Sequence, residues 1–153
     1  MVDRGVSVIV ASRDAGFRPS IMRGVGSAIS ADGTQVTVYL RRSQSRQLLQ
    51  DIGSGGGLAV VFSEPPTHRT LQLKAREATL RPASSADQPQ LDRYLASMQC
   101  ELAPVGYGPQ FAAAMLSAPL DDVVAVQFTP ESAYDQTPGP RAGAPLDAPK
   151  ARP

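Results

Sequence analysis

Residues 35–57 read QVTVYLRRSQSRQLLQDIGSGGG, and two periodicities meet inside them. Gln35 to Leu40 alternates apolar and polar positions as a half-buried strand does. Ser43 is a candidate N-cap, and SQSRQLLQDI then places Leu48, Leu49 and Ile52 on one face of a short helix. Gly53-Ser54-Gly55-Gly56-Gly57 stops that helix. Upstream, VSVIVA (residues 6–11) is a β-branched strand followed by turn chemistry in SRDAGFR. Residues 21–30 resume with small and apolar residues, and Ala31-Asp32-Gly33 offers a turn, so 21–30 and 35–40 are expected to form a hairpin.

Downstream, Leu58 to Phe62 is a continuous apolar run, and Arg69 to Leu80 alternates at Leu71, Leu73 and Ala75 and then at Ala78 and Leu80. A further strand pair follows, set off by Pro65-Pro66. From Ala86 the period becomes helical, with Leu91, Tyr94, Leu95, Met98 and Leu102 on one face, and Phe111 to Leu116 forms a second short helix after Gly108-Pro109. Val123 to Phe128 reads as the final strand. Five or six strands with helices inserted, rather than strict βαβ alternation, predict a mainly β or α+β domain built on an antiparallel barrel or sheet. The domain is expected over residues 1–136, and the proline-rich tail 137–153 is expected to lack regular structure.

Composition narrows the function classes. A formal net charge of +1 on 153 residues gives no global field for nucleic acid or an anionic membrane, so neither is expected as a partner. Cys100 is the only cysteine, which excludes an internal disulfide and a cysteine-rich zinc site; beside Met98 and Leu102 it reads as buried packing. No segment approaches the roughly 18 uninterrupted apolar residues of a spanning helix. The N-terminus has no cleavable leader pattern, so a cytoplasmic location is expected.

His68 is the sole histidine, and no GxSxG elbow accompanies it; a structural or ligand-contact role is expected rather than that of a catalytic base. The glycine run 53–57 lacks the Walker ending and follows a helix instead of opening one, which favours a helix stop over a phosphate loop. Arg41-Arg42-Ser43-Gln44-Ser45-Arg46-Gln47 is more informative. Arginine forks, serine hydroxyls and the free amides of a helix N-terminus together suit an anion, and an N-capped surface helix with solvated arginines accounts for the same residues.

The segment Val36 to Gln47 resembles the pyridoxamine 5′-phosphate oxidase-like proteins, in which a hairpin is followed by a short helix opening on a Ser-Arg-Lys-like step. The likeness extends over about residues 5 to 82. It implies an antiparallel split β-barrel with short peripheral helices and a homodimer that binds FMN in grooves between subunits. By this resemblance Arg23, Ser45, Arg46 and Gln47 hold the FMN phosphate, with Arg41 and Ser43 nearby. His68-Arg69-Thr70 matches the flavin-contacting strand, so Arg69 and Thr70 belong to the cofactor site and His68 is placed to tune the flavin or orient a substrate. Gln47 stands where the family commonly has lysine, and Thr70 where it has glutamine. The basic first strand and the C-terminal substrate motif of the classical vitamin oxidase are missing. The implied function is therefore an FMN-dependent oxidoreductase acting on another small molecule. The alternative is a split-barrel ligand-binding or interaction module that has lost its flavin.

Overall fold

The computed structural model describes residues 1–146, and their strands form two antiparallel sheets. In chain order the elements are β1 (Ser7–Arg13), β2 (Pro19–Arg23), β3 (Gly26–Ile29), β4 (Val36–Arg41), α1 (Arg46–Gly53), β5 (Leu58–Ser63), β6 (Thr70–Ala75) and β7 (Thr79–Pro82). They continue with α2 (Gln88–Leu102), α3 (Pro109–Leu116), β8 (Val123–Phe128), β9 (Ser132–Asp135) and β10 (Ala144–Leu146). One sheet has the order β10-β9-β6-β5-β1-β2 and the other β3-β4-β8-β7.

The stretch 21–30, read from sequence as one strand, is two strands in different sheets. β2 pairs with β1 in the larger sheet, and β3 forms the expected hairpin with β4 in the smaller. The chain crosses at Gly24-Val25, where Gly24 N–H donates to the Val8 carbonyl at 2.9 Å and Val25 N–H to the Tyr39 carbonyl at 2.8 Å. A Cβ on Gly24 would lie 2.5 Å from Val8 Cγ1 and 3.3 Å from the Tyr39 carbonyl oxygen, so a side chain there would have to displace Val8. A second crossing separates β6, paired with β5, from β7, paired with β8.

The inner faces enclose one main core. Val8, Val10, Val60 and Phe62 of the larger sheet meet Val38, Leu40 and Val126 of the smaller, all fully buried, and each such side chain contributes about 2 kcal/mol. Leu48 and Ile52 close it from α1, and Tyr94 and Met98 from α2. A smaller cluster of Val25, Tyr39, Val123 and Ala125 packs with Leu91 of α2. Both faces of β4 are thus covered. α2 is pinned to this side by Asp87, which accepts the Tyr39 hydroxyl at 2.9 Å and both Arg81 Nη atoms at 2.7 Å.

Several expectations are corrected. The final strand is not β8, because β9 and β10 follow; β9 pairs with β6, and β10 lies within the stretch expected to lack regular structure. Residues 147–153 of that tail lie outside the described residues. Helix α1 starts at Arg46 with Ser45 as N-cap, because Ser43 is captured by Asp122 from across the fold. Cys100 is exposed rather than packed. Among the described residues no helix is long and apolar enough to cross a membrane.

Candidate functional site

Two places gather the residues singled out by sequence. The first is the entrance to α1. After β4 the chain turns tightly, with Gln44 N–H donating to the Arg41 carbonyl and Ser45 N–H to the Arg42 carbonyl, both at 3.2 Å. Ser43 donates its N–H and its hydroxyl to the Asp122 carboxylate at 2.8 and 2.6 Å, and these bonds hold Asp122 below the usual carboxylate range. Gln47 Nε2 donates to Asp51 Oδ1 at 2.7 Å, while Asp51 Oδ2 accepts the Ser20 hydroxyl at 2.6 Å. The donors of Ser43 and Gln47 are therefore engaged within the protein.

Three neighbours keep at least one donor unengaged among the described residues. Arg46 is exposed and makes no hydrogen bond or ion pair among the described residues. Ser45 Oγ is buried without a partner and makes no capping bond to α1. Arg41 Nε is also buried and unpartnered, although its Nη2 donates to the Ser117 carbonyl. A buried polar group left unsatisfied costs about 1–3 kcal/mol, so this turn carries hydrogen-bonding capacity that the fold itself does not use. An exposed guanidinium, an orphaned hydroxyl and the first amides of a helix make a donor set that fits a phosphate monoester.

The second place is a cavity of about 420 Å³ bordered by Arg23 at the end of β2 and by His68. Arg23 Nη1 donates to the Ser7 hydroxyl at 3.0 Å. His68 is held in the left-handed region, at φ 57°, by the turn in which its N–H meets the Glu64 carbonyl at 2.9 Å. Histidine is among the non-glycine residues that adopt this region most readily. Thr70 Oγ1 lies 2.9 Å from the His68 carbonyl and 2.9 Å from Ser63 Oγ, and the adjacent Arg69 is exposed. The far wall carries Tyr107 and Phe111, whose rings stack at 4.4 Å.

Sequence reasoning put Arg23 with Ser45, Arg46 and Gln47. In the structure Arg23 borders a cavity with His68, while Ser45, Arg46 and Gln47 lie at the α1 entrance. Tyr107 and Phe111 were missed, since a glycine-flanked aromatic pair carries no motif. Thr137 was missed as well; its hydroxyl accepts Thr70 N–H at 3.1 Å from a segment with no periodicity.

No protein-family profile and no curated protein matches the chain, whereas solved structures do. An F420 reductase is 16% identical over 86% of this chain and 91% of its own, with a TM-score of 0.57. A candidate pyridoxamine 5′-phosphate oxidase of Lactobacillus delbrueckii is 14% identical over 86% and 85%, with a TM-score of 0.53. A pyridoxamine 5′-phosphate oxidase-related, FMN-binding protein of Nostoc punctiforme is 12% identical over 92% and 78%, with a TM-score of 0.50. The fold is that of the pyridoxamine 5′-phosphate oxidase-like split barrels. At such identities the likeness carries the architecture alone. In this split barrel the chemistry of the α1 entrance and of the Arg23–His68 cavity rests on the contacts just described.

Proposed function

We propose that the protein is a homodimeric, cytoplasmic FMN-binding oxidoreductase acting on a small molecule. The observation that carries this reading is the unspent donor set of Arg41, Ser45 and Arg46 at the α1 entrance of a split barrel. In this reading Arg46 and the first amides of α1 bind the FMN phosphate, and Ser45 and Arg41 turn their orphaned atoms toward it. Bound FMN supplies the redox chemistry through its isoalloxazine. The protein would supply position and charge: His68 and Arg69 would tune the flavin or orient a substrate, and the Tyr107–Phe111 wall would shield a substrate beside Arg23 from water.

The outer face of the larger sheet supports the dimer. Ile21 on β2 and the cross-strand pair Ile9–Val61 leave apolar side chains half-buried or exposed on that face. Ile21 is 65% exposed, whereas Val25 and Tyr39 are buried in the smaller cluster. A two-fold interface needs such a self-complementary patch.

The second reading, a binding module without flavin, is favoured by one feature: Asp122 and Asp51 already occupy the donors of Ser43 and Gln47. Visible absorption after incubation with FMN and gel filtration decides between the two. About one retained FMN per chain, eluting at dimer size, is the result expected. A colourless protein at saturating FMN would select the module.

A further inference from the structure

The largest cavity among those described lies apart from both places above, at the far end of β1, and measures about 760 Å³. That is the range of small-molecule sites. Its floor is made of small residues, because Ala11 on β1 and Ala59 on β5 are direct cross-strand partners and Lys74 on β6 continues the same row. Its rim is the loop 55–57, which packs tightly on β1: a Cβ on Gly56 would lie 2.1 Å from the Arg13 carbonyl oxygen.

The lining holds three cations, Arg13, Lys74 and Arg76, against one carboxylate, Glu131. Glu131 is already spent, since it accepts the Arg76 N–H at 3.0 Å and Arg76 Nε at 2.7 Å. Lys74 has no ion pair among the described residues; its ammonium rests 4.8 Å from the centre of the Tyr134 ring. Arg13 likewise faces a ring, with its guanidinium 4.2 Å from the centre of Phe17. Two cations therefore border the cavity without a carboxylate.

Phe17 adds a second, independent observation. It is 73% exposed and held in the left-handed region at φ 65°, where a bulky side chain is disfavoured, by its N–H bond to the Asp14 carbonyl. Its ring is stabilised by the Arg13 guanidinium but not by burial. Its ring borders the cavity on the side of Arg13.

We propose that this cavity binds a small aromatic anion, its ring against Phe17 and its carboxylate or phosphate between Lys74 and Arg13. The site does not depend on the flavin reading, because it shares no lining residue with the α1 entrance or the Arg23 cavity. The test is an amide-resolved NMR titration of the full chain with phenyl phosphate, benzoate, inorganic phosphate and benzylamine. Phenyl phosphate or benzoate is expected to shift Gly55, Gly56, Gly57 and Ser132 with a Kd of about 1 mM. Inorganic phosphate should bind about ten-fold more weakly, and benzylamine should not bind. Whichever of the two aromatic anions binds more tightly identifies the acid group preferred. Lys74→Gln and Phe17→Asn should each weaken binding about ten-fold. Asparagine tolerates the left-handed backbone, so the thermal midpoint of the second variant should hold while its affinity falls. Shifts confined to residues 41–47, or variants that bind like the parent protein, would overturn the assignment.

Discussion

Replacing Asp87 by alanine removes the carboxylate that joins β4, β7 and α2. It accepts the Tyr39 hydroxyl, two Arg81 bonds and the Ser84 N–H, the last at 2.9 Å. Tyr39 is 2% exposed, so its hydroxyl would be left buried without an acceptor, at about 1–3 kcal/mol. The Arg81 side chain is 37% exposed and can rehydrate, which limits its share to about 1 kcal/mol. Loss of the Ser84 bond, which caps the 3-10 turn Ser85–Asp87 leading into α2, adds about 1 kcal/mol. The total is about 4 kcal/mol, or a fall of about 10 °C in thermal midpoint for a domain of this size. Differential scanning calorimetry reads it directly. Asp92→Ala is the control: Asp92 is exposed, accepts only Gln88 Nε2 among the described residues, and should change stability by under about 0.5 kcal/mol. Adding Tyr39→Phe to Asp87→Ala should recover part of the loss, since the orphaned hydroxyl is then gone. An Asp87→Ala shift no larger than that of Asp92→Ala would refute the reasoning.

Three other outcomes are expected. Bonding to Arg81 holds Asp87 well below the usual carboxylate range, so its contribution is complete above the unfolded value of about 3.9 and is lost as pH falls through that value toward the folded one. Urea midpoints measured from pH 6 down to pH 3 should show an acid limb that flattens in Asp87→Asn; the part that survives is assigned to carboxylates such as Asp32, held at about 2 by Ser30 and Thr34. Gly24→Ala should destabilise by about 1–3 kcal/mol in chemical denaturation, because its Cβ meets Val8 at the sheet crossing. Ser45→Ala should leave the flavin-free midpoint unchanged or higher, since its hydroxyl makes no cap bond, and should weaken FMN binding about ten-fold; a lower midpoint without flavin would show that the hydroxyl is not idle.

The strands whose inner residues alternate or run apolar were legible: β1, β5 and β8 appear where Val8, Val60 and Val126 announce them. So was α2, from the spacing of Tyr94, Met98 and Leu102. The sheet crossing at Gly24 was not, because it depends on how closely a backbone approaches Val8, which no periodicity records. β9 was missed for a related reason. Its residues Ser132 to Asp135 are all half-buried, and backbone bonds to β6 hold them there rather than an apolar face. At the site, the run 41–47 was found from its donors alone. Which of those donors are free was not legible, because Asp122, 79 residues from Ser43, decides one of them. The cavity beside Phe17 left only dispersed signals, an arginine, a lysine and a glycine run that read as a helix stop.

A phosphate held at the α1 entrance should separate the affinities of FMN and riboflavin, measured side by side through quenching of flavin fluorescence. The two ligands share the ring and differ in the phosphate. FMN should bind about 100-fold more tightly to the parent protein, as expected for two or more charge-assisted bonds, and Arg46→Ala should narrow the gap to about ten-fold. Equal affinities for the two flavins, or a gap that Arg46→Ala leaves intact, would contradict the account.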